Sequence, residues 1–431
     1  MPSYHPPPAP AFGVGGQVGA PRAESAAGWS HRARMLAGWL TLFVIGTDLF
    51  VMSPLLPVVA ERYRIDLTTA GWTVTSFSIG YMIAAPWLGG LSDKYGRRRV
   101  MVAGLVAFGV ANLLTSVVSA LTDSYGALVA SRVAAGFSAA AITPSVYAAT
   151  GDMAPPQRRA TWLAIVGSGL LLAFGIGAPL GGFLAAALGV QALFLGIALA
   201  CAVLAVLNLR AWPAGAVAPP QPPPGMAPAA VSRPLGPLTL IGAVGPTVLW
   251  STALFGAYFY LGGGLAAAAG VTAAELAVIL LFYGLGTVGG NLTGGRAADK
   301  FGPESVMIAA YLGLGLCWVV LATLLRTNAH DQAPIPLVGA GLALAAYVAQ
   351  VFFPAQQARL ARAHAARRGT VLAWNNSALY FGMCIGSTLG GAIVRGAGFP
   401  ALLNVLSVLA FVSALLFSGV TWAKQVQPSP A

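Results

Sequence analysis

The chain has 431 residues, is 57% hydrophobic and only 8% charged, and carries a formal net charge of +12. Soluble domains carry about 25% charged residues, so this chain lacks the polar surface that water demands. With a mean hydropathy of +0.78 it reads as an integral membrane protein.

Residues 1–35 are rich in Pro, Gly and Ala and read as a disordered tail. They do not read as a signal peptide, because no basic start leads into an apolar core. From Met35 onward come twelve uncharged apolar windows, centred near residues 48, 81, 110, 138, 173, 199, 250, 284, 315, 346, 382 and 410. Each is long enough for a transmembrane helix, and none alternates as a barrel strand would. The longest interior break, "AWPAGAVAPPQPPPGMAPAAVSRPLGP" from Ala211 to Pro237, is too proline-rich to continue a helix. The expected fold is an all-α polytopic membrane protein. Six helices fill 36–212, a linker follows at 213–237, six more helices fill 238–422, and a short tail ends the chain at 423–431.

The bases orient this chain. With the N-terminus inside, Arg62, Arg64, Arg326 and Arg395 fall outside and Arg132 falls within the membrane; every other Lys and Arg falls on the cytoplasmic side. That asymmetry satisfies the positive-inside rule. It places both termini in the cytoplasm and accounts for the basic balance without nucleic acid. Cys201, Cys317 and Cys384 lie inside apolar windows and form no disulfide or metal pattern. His5, His31, His330 and His364 lie in tails or loops. No metal site and no cofactor is expected.

"GGLSDKYGRRRV", Gly89 to Val100, concentrates charge between the second and third helices. It has an echo in "GGRAADKFGPESV" from Gly294. Gly89 pairs with Gly295, Asp93 with Asp299, Lys94 with Lys300 and Gly96 with Gly302, always 206 residues apart. The equivalent places in two six-helix halves imply an internal duplication, a recurrent plan of secondary transporters. One reading is a topogenic loop whose bases, Arg97 and Arg98 among them, face anionic headgroups. The sharper reading is a latch that differs between two conformations and so biases them.

These residues resemble a known family. Gly89-x-x-x-Asp93-Lys94-x-Gly96-Arg97-Arg98 is similar to the signature loop of the major facilitator superfamily, which carries a weaker copy in its second half. Here Pro303 and Glu304 stand where bases would follow Gly302, which predicts a weaker second latch. "ASRVAAGFSAAA" holds Arg132 with Gly136 one turn later, and resembles the family's Arg-x-x-x-Gly motif, associated with proton coupling. "GIGAPLGG" holds Gly175, Gly177, Pro179, Gly181 and Gly182. It resembles the fifth-helix motif of proton-driven exporters, with Ala178 in place of the glycine before proline. Its glycines allow close helix contact, and Pro179 kinks the helix and frees a carbonyl. "GTDLFVMSPLLP" resembles the first helix of twelve-helix drug:proton antiporters, including chloramphenicol-resistance and sugar- or purine-efflux relatives. The resemblance covers residues 36–422 and implies the major facilitator fold.

Asp48 is the one acid deep in a predicted helix, and intramembrane carboxylates mark function by default. It either carries a proton across or bridges helices as a hydrogen-bonding group. Arg132 is the one deep base. It stays charged, so it either tunes a carboxylate or serves as a structural counter-ion. "AWNNSALYFG" offers Asn375, Asn376 and Tyr380 to a substrate cavity, the last two on one helix face. Trp250, Tyr81 and Tyr147 are further cavity candidates, while Tyr258 and Tyr260 suit an interfacial belt. The acids are scattered and no nucleotide motif appears, which argues against an enzyme or an ATP-driven pump. The expected function is secondary export of small, drug-like molecules by proton antiport through alternating access, in a bacterial inner membrane. Proton is the expected coupling ion and the expected state a monomer. Efflux of a sugar or nucleobase is the alternative, and a membrane sensor or enzyme the most distant one.

Overall fold

The computed structural model describes residues 29–155, 159–213, 236–327, 335–364 and 368–426; of residues 89, 90, 93, 159–161, 368–370 and 420–426 only the backbone is described. Residues 1–28 of the N-terminal tail and most of the proline-rich linker lie outside these ranges. Among the described residues there are helices and no strand.

The first half comprises α1 (His31–Phe50), α2 (Met52–Tyr63), the short α3 (Leu67–Ala70), α4 (Trp72–Tyr95), α5 (Arg97–Leu121), α6 (Tyr125–Met153), α7 (Arg159–Leu172), a π-helical turn at Ala173–Gly177, α8 (Ala178–Leu188) and α9 (Val190–Ala211). The second comprises α10 (Pro237–Tyr258), α11 (Leu261–Ala269), α12 (Ala273–Phe301), α13 (Pro303–Thr327), α14 (Ile335–Ala363), α15 (Arg368–Ala397) and α16 (Phe399–Val426). Eleven of the described helical segments are long and apolar enough to cross a membrane. The 24-residue α4, packed on α6 and α15, makes the twelfth span. Every window centre read from the sequence falls inside one of these spans. Helix α1 begins at His31, four residues before Met35, because Ser30 caps it by accepting from the Ala33 amide.

The halves repeat each other pair for pair. Helix α4 packs on α6 as α12 packs on α14, α5 on α9 as α13 on α16, and α1 on α7 as α10 on α15. The crossings match at the residue level. A Cβ on Gly80 would meet the Val133 carbonyl oxygen at 2.3 Å, and one on Gly286 would meet that of Ala343 at 2.2 Å. Gly80 and Gly286 are 206 residues apart. Close backbone approach at small residues is what holds helices together where the solvent is as apolar as they are. The paired turns α4–α5 and α12–α13 both bend at a glycine of positive φ, Gly96 at 92° and Gly302 at 83°.

The bundle has a basal end, where α1 starts and α4 turns into α5, and an apical end, where α2 turns into α3. Between the halves, α4 packs on α15, α2 on α11, and the π turn and α8 on α12.

Candidate functional site

Asp48 sits two residues before the end of α1, and Arg132 in the second turn of α6. The two meet in a bidentate ion pair: Arg132 Nη1 donates to Asp48 Oδ1 at 3.0 Å and Nη2 to Oδ2 at 2.6 Å. Both residues are fully buried. The guanidinium carbon lies 5.1 Å from the Phe77 ring centre and 5.3 Å from that of Phe194, so two rings lie within cation–π reach of the cation. One turn on, Gly136 presses so closely on α4 that a Cβ would meet the Phe77 carbonyl oxygen at 1.9 Å. That contact sets Arg132 at the depth of Asp48. A pair so buried is costly to desolvate and costlier to break on one side. Chemically, each group supplies the charge that the other needs in a dry interior. A small pocket lined by Val59, Arg62, Tyr63, Ser119 and Phe194 reaches Arg132 within the first half.

Directly beyond Asp48 the first span breaks at Val51. Pro54 has no N–H to give the Phe50 carbonyl, and Tyr258 Oη donates to that carbonyl instead at 2.9 Å. In return Ser53 Oγ donates to the Tyr258 carbonyl at 2.7 Å, where α10 ends before α11. Each broken helix therefore has a freed carbonyl satisfied by the opposite half. Further apical bonds join Thr68 Oγ1 to the Gly391 carbonyl at 2.6 Å and the Thr75 and Ser387 hydroxyls at 2.6 Å.

The "GIGAPLGG" segment forms the π turn and the start of α8, and Pro179 lies in the first turn of α8. A Cβ on Gly177 would meet Thr47 Oγ1 at 2.1 Å, one on Gly181 Val51 Cγ2 at 2.6 Å, and one on Gly182 Pro54 Cβ at 3.2 Å. These three seat the segment on the broken first span. Gly175 faces the other half, where a Cβ would meet Gly284 Cα at 2.9 Å.

Rings close the seam beside this contact. Phe50 stacks on Phe174 with centroids 3.5 Å apart, Phe174 meets Tyr258 edge-on at 4.9 Å, and Tyr258 lies 5.4 Å from Tyr283. Phe255 completes the group, 6.2 Å from Phe50. Sequence reading did not single out Phe50, Phe174, Phe255 or Tyr283, since scattered aromatics carry no periodic signal. Tyr258 and Tyr260, read as belt residues, are fully buried instead. After a break the chain continues as α11, so they stand at the junction of two helices and not at a free helix end. Tyr81 and Tyr380, both cavity candidates, stack across the seam at 3.5 Å.

Other candidates are engaged within one half. Asn375 is buried and its Oδ1 accepts from Thr247 Oγ1 and, at 3.2 Å, from Gln356 Nε2. Trp250 donates to the Ala349 carbonyl at 2.7 Å and stacks on Phe352 at 5.2 Å. Tyr147 is half-buried and lies against α7 at Gly167. Asn376 is partly exposed beside it in sequence to Asn375 on α15.

The paired basal turns differ in their described contacts. Arg97 Nε lies 3.4 Å from Asp152 Oδ2, and Arg98 Nη1 donates to the Leu209 and Trp212 carbonyls at 3.3 and 3.2 Å. Those bonds tie the turn to α6 and to the end of α9. In the second half Asp299 pairs with Arg362 at 3.2 Å, both side chains well exposed, and Lys300 lies over the Phe301 ring. Lys94 likewise lies over Tyr95. The Asp93 side chain and the surroundings of Gly89 lie outside the described residues. Gly295 meets nothing. Among the described residues no cluster of His, Cys, Asp and Glu could hold a metal ion.

A model of the Major Facilitator Superfamily matches residues 38–269 and again residues 247–431. The chain belongs to this superfamily. It is therefore a multi-pass membrane transporter of small molecules and not an enzyme. The chain is similar to YceJ, an MFS-type transporter of Bacillus subtilis (strain 168), at 29% identity over 387 residues, 86% of this chain and 95% of that one. It is similar to a chloramphenicol resistance protein of Streptomyces lividans at 30% over 284 residues, 65% and 70% of the two chains. The inner membrane transport protein YdhP of Escherichia coli (strain K12) matches at 26% over 386 residues, 89% and 94%. In fold, the crystal structure of the human organic anion transporter MFSD10 (TETRAN) superposes with a TM-score of 0.68 at 18% identity, over 90% of this chain and 99% of that one.

Proposed function

We propose that this superfamily member exports small, drug-like organic molecules from a bacterial cytoplasm in exchange for protons, working as a monomer in the inner membrane. The observation that carries the reading is the buried Asp48–Arg132 pair, which no solvent screens. The positive-inside rule makes the basal end cytoplasmic. The hydrogen-bonded apical seam is then the outer gate, shut, and the arrangement is inward-facing. Substrate enters from the cytoplasm, and the halves rock until the seam parts. A proton arriving from outside neutralises Asp48, loosens Arg132 and favours the return. The basal turns, with Arg97 and Arg98 bound in one half, suit elements that change partners as the halves move. The chloramphenicol resistance protein among the relatives agrees with an amphiphilic cargo. A sugar or nucleobase would need free amides; Asn375 has already given its carbonyl to Thr247 and Gln356, and its Nδ2, buried without a partner, is the one donor it keeps for the alternative cargo.

Everted vesicles holding an imposed pH gradient test the reading. Chloramphenicol, ethidium, sugars and nucleobases are added singly to wild type and to Asp48→Asn. At least one aromatic compound collapses the gradient in wild type and not in the variant. Proton-driven transport that survives in Asp48→Asn removes Asp48 from the coupling.

A further inference from the structure

Tyr283 on α12 is 1% exposed, and its hydroxyl is buried with no side-chain or backbone partner. Neighbouring tyrosines differ in this respect. Tyr258 donates to the Phe50 carbonyl and Tyr260 to that of Ser387. A buried hydroxyl without a partner is a cost that a phenylalanine would avoid while packing the same ring. Among the described residues one other tyrosine hydroxyl is buried and unpartnered, that of Tyr63. It belongs to the pocket inside the first half, away from the seam.

Tyr283 stands at the seam. Its ring centre lies 5.8 Å from that of Phe174 in the opposite half and 5.4 Å from that of Tyr258. The next residue, Gly284, touches the π turn so closely that a Cβ would meet Gly175 Cα at 2.3 Å. Side-by-side contact at that glycine pair keeps Tyr283 against the opposing rings. The site lies well inside the long α12, about a third of the way from its apical start, and transporters of two-repeat design hold their cargo deep between the repeats. When the halves separate, Phe50 and Phe174 leave with one half, and Phe255, Tyr258 and Tyr283 with the other. Each set then loses ring contacts that a planar guest, carried up from the cytoplasmic side between the halves as the seam parts, can restore.

We propose that Tyr283 is the specificity-determining residue of the substrate site, and that it donates its hydroxyl proton to an acceptor oxygen on an aromatic substrate lodged among these rings. The assignment rests on the export reading and adds a chemical class to it: an aromatic ring bearing a nitro or carbonyl acceptor. The unpartnered oxygen supplies the polar contact, and the surrounding rings supply the stacking surface. Such a small number of polar groups in an apolar lining fixes orientation and selects cargo.

The test is initial-rate export from vesicles by wild type and Tyr283→Phe, with two probes. Chloramphenicol, a nitroaromatic, carries acceptors; ethidium, whose ring substituents are amine donors, does not. In the variant the KM for chloramphenicol rises roughly three- to tenfold, the worth of one neutral hydrogen bond. Its Vmax holds, the ethidium KM holds, and the melting temperature of the purified protein stays the same or rises. An unchanged chloramphenicol KM overturns the proposal. So does a lower Vmax at constant KM, which would place the hydroxyl in the gate, or a lower melting temperature, which would make it structural. Wild type that exports ethidium alone overturns the acceptor class while leaving the export reading intact. Wild type that exports neither probe nor any other compound of the panel removes the export reading itself.

Discussion

Among the described residues, the N-terminal half buries an ion pair where the C-terminal half buries none. Helices α1 and α6 carry Asp48 and Arg132 in their interiors. Their counterparts α10 and α14 carry no charge until Arg359 and Arg362 in the last turns of α14. In that half the polar work falls to Thr247, Gln356, Asn375 and the Trp250 indole. Yet the helix crossings agree, down to Gly80 on Val133 and Gly286 on Ala343. Helix packing in this fold therefore does not require the buried charge. One half assembles without it, which leaves the Asp48–Arg132 pair to be explained by function.

The largest expected effect follows directly. Arg132→Leu strands an unpaired Asp48 in the interior and destabilises the protein by about 3–5 kcal/mol. The double variant Asp48→Leu with Arg132→Leu makes the first half resemble the second. Its stability returns to that of wild type or exceeds it, as buried pairs replaced by apolar groups commonly allow, while the proton coupling proposed for Asp48 is lost. Thermal unfolding of the purified protein separates the cases. Equal destabilisation of the single and double variants would show that the first half needs its ion pair to fold, and the comparison would fail.

Much of this contrast was legible from residues. The twelve spans follow from composition, because a helix in lipid must be apolar along its length. The repeat follows from Gly89, Asp93, Lys94 and Gly96 recurring 206 residues on. Asp48 and Arg132 stood out as solitary charges, but their meeting depends on the crossing of α1 and α6, which no local pattern encodes. The breaks were less visible. Pro54 and Pro57 hint at the first, whereas the break at Phe259 has only the following Gly262, Gly263 and Gly264 as a signal. The seam rings were invisible because they belong to four separate spans. Tyr258 reads as a belt residue for a related reason: no local pattern shows that the chain continues past it as the helix α11.

The seam gives an intermediate effect, and here the halves should behave alike. Tyr258→Phe leaves the Phe50 carbonyl without a donor, and Ser53→Ala leaves that of Tyr258 without one. Each lost bond is worth about 1 kcal/mol, enough to shift a two-state balance roughly fivefold. Spin labels at Arg62 on α2 and Ala267 on α11 report the apical separation. Both variants raise the long-distance population, by similar amounts, because each removes one bond from a reciprocal pair. A shift in one variant alone would mean that one half controls the gate.

The smallest effect lies at the caps, where the halves match in place and differ in chemistry. Asp66 and Thr272 are 206 residues apart, and each opens the apical turn before an equivalent span. Asp66 accepts from the Thr69 amide at 2.9 Å, whereas Thr272 accepts from the Glu275 amide at 3.3 Å. The acid and the hydroxyl have exchanged positions along the motif. Hydrogen bonds from Thr69, its backbone N–H first, hold the Asp66 carboxyl below its ordinary value of 3.8. A depressed carboxylate pKa stabilises the fold fully above the unfolded value and less as pH falls through the folded one. Asp66 is exposed, so the contribution is small. Thr272→Ala should cost about 0.5 kcal/mol, the low end for a hydroxyl cap and fitting for an exposed one. Asp66→Asn keeps a cap and removes the titration. Melting temperatures of Asp66→Asn and wild type, compared from pH 7 down to pH 3, therefore converge toward the acid end, because protonation takes from wild type only what the substitution has already removed. A gap that stays constant over that range would show that the Asp66 charge does not stabilise its turn, and the two caps would differ in sequence but not in electrostatics.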